Sequence, residues 1–284
     1  MIGRLCDLAR GKNVVALTGA GLSTESGIPD YRSPAALARP RRPIHGPEFV
    51  RSEEVRRRYW ARSTLGWERM RLAEPNAGHR ALARLERAGT IARVVTQNVD
   101  RLHSKAGSVR VTELHGALAE VACLACGTIE DRDALQVRLL GENPGWRSHG
   151  GALAPDGDAD LARDREQTFM VPPCARCGGV LKPRVVFFGD NVPRAVVDEA
   201  FAAVDAAELL LVVGTSLAVF SGYRFLRHAA QRGTPIAIVN LGPVRGEEHA
   251  TMKLEARTGV TLEALARSLD GSEPCGLSPS RQCR

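Results

Sequence analysis

The chain has 284 residues, 44% of them hydrophobic, which is enough to bury a substantial core in one large domain or in one large and one small. No window approaches the ~18 unbroken apolar residues of a membrane span; the longest apolar run, Leu209 to Phe220, is interrupted by Gly214-Thr215-Ser216. A formal charge of +7 invites a nucleic-acid reading, but the arginines are spread along the chain and interleaved with acids, as in Arg51-Ser52-Glu53-Glu54-Val55-Arg56. That is the pattern of solvated helix faces, so nucleic acid is not an expected partner, and the basic surface suits an anionic cofactor instead.

Met1 to Asp7 has no signal-peptide apolar core, and the expectation is a soluble, cytoplasmic monomer. The run Val14–Thr18 reads as a buried strand and opens into Gly19-Ala20-Gly21-Leu22-Ser23-Thr24, then Gly27-Ile28-Pro29-Asp30-Tyr31-Arg32. Glycines after a strand let backbone N–H groups approach a phosphate. The Gly-x-Gly part is weak alone, because such loops recur in turns that bind nothing. The added turn, carboxylate, ring and guanidinium mark a site that holds a dinucleotide and acts on it. Residues 33–75 read as a basic loop followed by one or two helices. Asn76 can cap a helix running to Arg87 and ending near Gly89.

Ile91–Thr96 is a second strand, and Gln97-Asn98-Val99-Asp100 follows it at the carboxyl edge of the sheet, where open α/β sheets bind ligands. His115, in Glu113-Leu114-His115-Gly116, offers an imidazole, although a lone histidine is more often structural than catalytic. Cys123-x-x-Cys126 and Cys174-x-x-Cys177 have the spacing of a four-thiolate structural zinc site; a redox pair or two unrelated pairs are the rival readings. Further buried parallel strands are read at Val185–Phe188, Leu209–Gly214 and Ile236–Asn240, with helices at Arg194–Ala207, Gly222–Gln231 and Leu262–Leu269.

Strands alternating with helices imply an α/β fold: a doubly wound, Rossmann-like parallel sheet with a smaller inserted zinc-binding and helical domain. The sheet domain is assigned to residues 1–32, 76–118 and 183–270, and the small domain to 33–75 and 119–182. The tail 271–284 is expected to be disordered.

Taken together, the nucleotide loop, Gln97-Asn98-x-Asp100, His115-Gly116, both cysteine pairs, Val186-Phe187-Phe188-Gly189, Gly214-Thr215-Ser216 and Asn240 resemble the sirtuins, NAD-dependent protein deacylases. Ser23 to Arg32, Thr96 to Ser108 and the Leu153-Ala154-Pro155-Asp156-Gly157-Asp158 segment are similar to the class II branch, nearest its lipoamidase and ADP-ribosyltransferase members. The resemblance implies cleavage of the nicotinamide–ribose bond of NAD, capture by the acyl-lysine amide oxygen, and release of lysine and O-acyl-ADP-ribose. It implies His115 as general base for a ribose hydroxyl, Asn98 as the group orienting ribose and water, and Asp100, Asp30 and Ile28 as the nicotinamide pocket. Gly19, Ala20, Gly21, Thr24 and Arg32 would face the pyrophosphate and ribose, with Tyr31 as a shield and Gln97 and Val99 beside them. Gly214, Thr215, Ser216, Asn240, Leu241, Gly242 and Thr258 would hold the adenosine half. Val186, Phe188 and Gly189 would form the edge on which an acyl-lysine protein or peptide adds as a strand. One zinc ion would be held by Cys123, Cys126, Cys174 and Cys177. The Tyr-x-x-Arg pair by which some class II members grip acidic acyl groups is absent, Arg39 standing alone, so a strong preference for succinyl or malonyl groups is not expected.

Three alternatives stay open at this stage. Protein mono-ADP-ribosyltransfer would use the same cofactor cleavage. An NAD-dependent dehydrogenase would require a third loop glycine where Thr24 stands. A zinc-ribbon binding module would have no use for Asn98, Asp100 and His115.

Overall fold

The computed structural model describes residues 2–32, 43–148, 156–159, 161 and 166–270. Among these residues, nine strands form two sheets. In chain order they are β1 (Val14–Thr18), β2 (Ile91–Thr96), β3 (Val111–Glu113), β4 (Gly116–Cys123), β5 (Ile129–Asp131), β6 (Leu181–Val185), β7 (Leu209–Val213), β8 (Ile236–Val239) and β9 (Met252–Leu254). The large sheet has the order β3-β2-β1-β7-β8-β9, and every pairing in it is parallel.

The sequence explains why this sheet is covered on both sides. β1, β7 and β8 are apolar at nearly every position and buried throughout. Alternate residues therefore feed two cores. Val14, Ala16, Leu209, Leu211 and Val213 meet helices Ile2–Ala9, Ala77–Arg87 and Thr258–Leu269 on one face. Val15, Leu17, Leu210, Val212 and Ile238 meet helices Arg194–Asp205 and Phe220–Gln231 on the other. Each fully buried leucine or valine stabilises the sheet by roughly 1.5–3 kcal/mol relative to exposure. Asn76 caps helix Ala77–Arg87 as expected: its side chain accepts from the N–H groups of Gly78 and His79, and its own N–H donates to His79 Nδ1 at 3.3 Å.

The smaller sheet, β5-β4-β6, is antiparallel. It packs with helices Gly46–Arg51, Glu53–Leu72 and Arg132–Glu142 around Phe49, Tyr59, Trp60, Leu135, Trp146 and Phe169. Ser52 caps the long helix through Oγ, with Glu53 and Glu54 in its first turn and Arg69 and Arg71 in its last, matching the helix dipole. Ile28, Trp67, Met70, Leu102, Leu118 and Val185 form the seam between the lobes.

One expected strand is corrected. Val185–Phe188 is not a buried parallel strand. The strand is Leu181–Val185, it belongs to the small sheet, and it runs antiparallel to β4. Its burial alternates at Leu181, Pro183 and Val185, as a strand with one covered face requires, whereas the continuous apolar run lies beyond its end. The small sheet consequently runs from Gly116 to Val185, past both ends of the span 119–182. Arg39 and the tail 271–284 lie outside the described residues. Among those residues no helix is long and apolar enough to cross a membrane.

Candidate active site

β1 and β7 are neighbours, yet the chain leaves β1 toward β2 and leaves β7 toward β8, in opposite directions across the sheet. A crevice opens at such a switch point, beyond the carboxyl ends of the strands. Here the loops after β1 and β7 lie backbone against backbone. Gly19 N–H donates to Val213 O at 3.2 Å and Gly21 N–H to Gly214 O at 2.8 Å. A Cβ on Gly21 would lie 2.9 Å from Gly214 O, and one on Gly214, whose φ is +58°, would lie 2.4 Å from Leu22 N. These glycines thus admit the facing loop as well as opening the crevice. The short helix Ala20–Ser23 begins there without a side-chain cap.

Beneath this loop runs a chain of buried polar groups. Asn98 Nδ2 donates to Gly19 O at 3.1 Å and to Ser23 Oγ at 3.0 Å; Ser23 Oγ donates to Asp100 Oδ2 at 2.7 Å; Leu102 N–H donates to Asp100 Oδ1 at 2.9 Å. Burial raises the Asp100 carboxyl above its ordinary range, against the pull of these hydrogen bonds. His79 accepts at Nδ1 from the Asn76 backbone, so its Nε2 carries the proton and faces Ser23 Oγ at 3.5 Å. His103 Nε2 lies 2.9 Å from Thr18 Oγ1, whose own proton goes to Thr96 Oγ1. The two imidazoles meet edge to face at 5.0 Å. Burial, then the neighbouring His103 and Arg80, pushes His79 down to about 2, and burial pushes His103 down to about 4, so both are neutral.

His115 stands in the link between the two sheets, after β3 and before β4. Its Nδ1 is 2.8 Å from Gln97 O and its Nε2 is 2.8 Å from Ser221 Oγ. A carbonyl can only accept, so Nδ1 bears the proton and Nε2 presents the lone pair. Burial lowers the imidazole pKa, the bond to Gln97 O opposes that, and the Arg224 charge lowers it further. Gln97 ties this histidine to the crevice, its Nε2 donating to Thr18 O at 3.2 Å and Thr215 Oγ1 at 3.0 Å. The arrangement offers a neutral base whose acceptor atom is fixed in direction.

Away from the crevice, the four cysteine sulfurs lie within 4.8 Å of one another. Cys123 Sγ is 3.5 Å from Cys177 Sγ and Cys126 Sγ is 3.9 Å from Cys174 Sγ. Four thiolates at ~2.3 Å from one tetrahedral ion sit at about these separations from each other. The donor set therefore fits zinc, with no open coordination position.

The Sir2 family profile matches residues 19–221. A Bos taurus relative, the mitochondrial NAD-dependent protein lipoamidase sirtuin-4, is 51% identical over 254 residues, covering 88% of this chain and 81% of its own. The chain belongs to the Sir2 family. NAD-dependent protein deacetylase 1 of Mycobacterium avium (strain 104) is 50% identical over 264 residues, with 91% of this chain and 92% of the relative covered. A solved Sir2 complex with a p53 peptide and NAD+ superposes with a TM-score of 0.74 at 30% identity, spanning 96% of this chain and 98% of that one.

Other anticipated residues of this sirtuin are placed variously. Ile28 is buried in the seam between the lobes, with Val99 packed at its margin. Thr24 Oγ1 donates to Gly21 O, so its hydroxyl stabilises the loop, and Asp30 Oδ1 accepts from Arg32 N–H. Asn240 Nδ2 donates to Leu241 O and Gly242 O, shaping the turn after β8 and leaving Leu241 exposed. Thr258 opens the last helix, where Gly259 N–H meets Glu25 Oε1 at 3.4 Å. Val186 N–H donates to His115 O at 2.9 Å, Phe188 O accepts from Gly46 N–H at 2.9 Å, and Gly189 lies beside His45 and Pro47. Ser216 O accepts from Arg245 N–H at 2.9 Å.

Residues 156–159, between the cysteine pairs, return to the site. Gly157 sits on Gly66 of helix Glu53–Leu72 so closely that a Cβ there would lie 1.9 Å from Gly157 O, and Ala159 N–H donates to Arg62 O. This docking brings Asp156 and Asp158 into electrostatic reach of Tyr31. Arg132 is wholly buried below, its guanidinium 5.4 Å from the Trp60 ring and 5.2 Å from the Trp67 ring. Sequence reasoning missed Ser23, His79, His103 and Ser221. Ser23 stood inside the recognised loop, so position alone was the available signal; His79 and His103 become legible only when strands β1 and β2 are placed side by side, and Ser221 only when β7 is set beside β1.

Proposed function

We propose that this sirtuin removes acyl groups from lysine side chains of proteins and consumes NAD in doing so. The observation that carries the reading is His115: a neutral imidazole with Nδ1 committed to the Gln97 carbonyl and Nε2 free to take a proton once the Ser221 hydroxyl turns aside. The relatives named lipoamidase and deacetylase support the reaction class. Bound NAD supplies an electrophilic ribose carbon with nicotinamide as its leaving group.

The residues divide the remaining work. Ala20, Gly21, Thr215 and Ser216, where two loops meet at the switch point, would hold the diphosphate, with Gly19, Gly214 and Arg32 beside it. Asn98, fixed by Gly19 O and Ser23 Oγ, would orient the ribose and a water. Asp100, with Ile28 and Asp30, would receive the carboxamide. Tyr31 would exclude water. Asn240, Leu241, Gly242 and Thr258 would hold the adenosine end. Val186, Phe188 and Gly189 would receive the substrate backbone, and zinc would fix the small sheet without entering the chemistry.

The test incubates wild type and His115→Ala with NAD and a panel of acetyl-, lipoyl- and succinyl-lysine peptides, followed by mass spectrometry. Wild type is expected to release nicotinamide in step with acyl loss. Removing a general base is expected to slow turnover by about 10²–10⁴-fold. ADP-ribose appearing on protein without acyl loss would redirect the reading to ADP-ribosyltransfer, and a fully active His115→Ala would overturn the role of the histidine.

A further inference from the structure

Two chain segments converge on His115. Val186 bonds its backbone carbonyl, leading to Phe188, and Ser221 bonds its ring, preceded by Val219 and Phe220. Phe188, Val219 and Phe220 are 45%, 42% and 46% exposed, so the approach to the base is framed by apolar side chains held at the surface.

Around the second segment stand three arginines. Arg224 lies over the Phe220 ring at 5.2 Å and Arg227 over the same ring at 5.3 Å, while Arg245 stacks on Tyr223 at 4.1 Å and donates to Ala218 O at 3.4 Å. Nearby arginines of the same lobe are ion-paired, Arg93 with Glu199 and Arg232 with Asp205. Among the described residues, Arg224, Arg227 and Arg245 reach no carboxylate, and Arg224 Nε is buried without an acceptor. Stacking on rings holds the guanidinium planes in place and leaves donors on their edges that meet no carboxylate of the described residues. Helix Phe220–Gln231 adds its uncapped, positive end at Val219 on the same side. The patch adjoins the loop after β7: Arg245 N–H donates to Ser216 O, and Gln97 joins His115 to Thr215.

We propose that this arginine cluster selects acyl-lysine segments carrying acidic residues next to the modified lysine. The proposal rests on the deacylase reading and deepens it. Because Val186 and Ser221 both bond His115, a peptide lying along Val186–Gly189 would run close to the 217–220 segment, and its flanking carboxylates would then meet guanidinia that have no carboxylate partner among the described residues. Planar, fixed arginines match carboxylates in a way that mobile lysines do not.

The experiment measures kcat/KM for three acetyl-lysine peptides that differ only in having Glu, Gln or Lys on both sides of the modified residue, at low and at high salt. For wild type the Glu peptide is expected to exceed the Lys peptide by about fivefold or more at low salt, with the gap narrowing at high salt as the screening length shortens. Arg224→Glu/Arg227→Glu is expected to reverse the order. The exposed Arg227→Glu alone serves if the double variant fails to fold, and should reduce the ratio. Equal rates for the three peptides in wild type, or a Glu preference that survives these substitutions, would overturn the proposal. Inhibition by duplex DNA with no discrimination among peptides would assign the patch to nucleic acid instead. Acyl loss from the Gln peptide reports on the deacylase reading by itself, so failure of one idea is distinguishable from failure of the other.

Discussion

Acidification should weaken this fold through the two histidines buried beneath the cofactor loop. His79 is held down to about 2 and His103 to about 4, mainly by burial, whereas an unfolded chain titrates its histidines near ~6.5. The unfolded state therefore binds more protons below neutrality, and stability falls as pH falls. Between about pH 7.5 and pH 5 each histidine contributes a loss of about 2 kcal/mol, so the pair should lower the unfolding free energy by roughly 4 kcal/mol. His115, also lowered by burial, adds to the same trend. Urea unfolding followed by far-UV circular dichroism across that range gives the slope. His103→Gln keeps a donor for Thr18 Oγ1 without a titrating ring, and its slope should be about half as steep. A wild-type stability flat across the range would refute the assignment of two neutral, enclosed imidazoles. So would a variant with an unchanged slope.

Gly214→Ala combines a left-handed backbone with a Cβ 2.4 Å from Leu22 N, and should cost about 2–5 kcal/mol and raise KM for NAD more than for peptide, as thermal unfolding and steady-state kinetics would reveal. Cys174→Ser should abolish binding of one zinc per chain, read by metal analysis, and expose the tryptophans of the small lobe, read by fluorescence. Gly66→Ala should lift the Asp156–Asp158 turn from its helix; faster limited proteolysis between the cysteine pairs is expected, and an unchanged cleavage rate would contradict the docking. The acid limb of kcat/KM should titrate below ~6.5, since His115 must be neutral to accept a proton and its pKa is lowered.

Much of the large sheet was legible because strands covered on both faces read as unbroken apolar runs: β1, β7 and β8 needed no alternation to be seen. Asn76 announced its helix, and the zinc ligands announced themselves by spacing. β3 and β9 were not legible, being three-residue edge strands too short to carry a pattern. β6 escapes a reading by apolarity because Val186-Phe187-Phe188 is more apolar than Leu181-Lys182-Pro183-Arg184-Val185, although only the latter pairs. Within the site, Asn98 and Asp100 were visible as polar residues after a strand, and His115 through the motif it shares with the sirtuins. Ser23, which joins the first two, and His79 and His103, which underlie them, depend on contacts between residues 56 and 85 positions apart. Such partners follow from strand order and register, which no local pattern encodes.

His115 faces two ways. Its ring is anchored to the large sheet through Gln97, while its main-chain oxygen holds Val186 at the end of the small sheet. The proton acceptor and the anchor of the rail that would align a substrate thus belong to a single amino acid. If the lobes swing relative to each other, one residue and one hydrogen bond still tie the rail to the base, so the alignment follows His115.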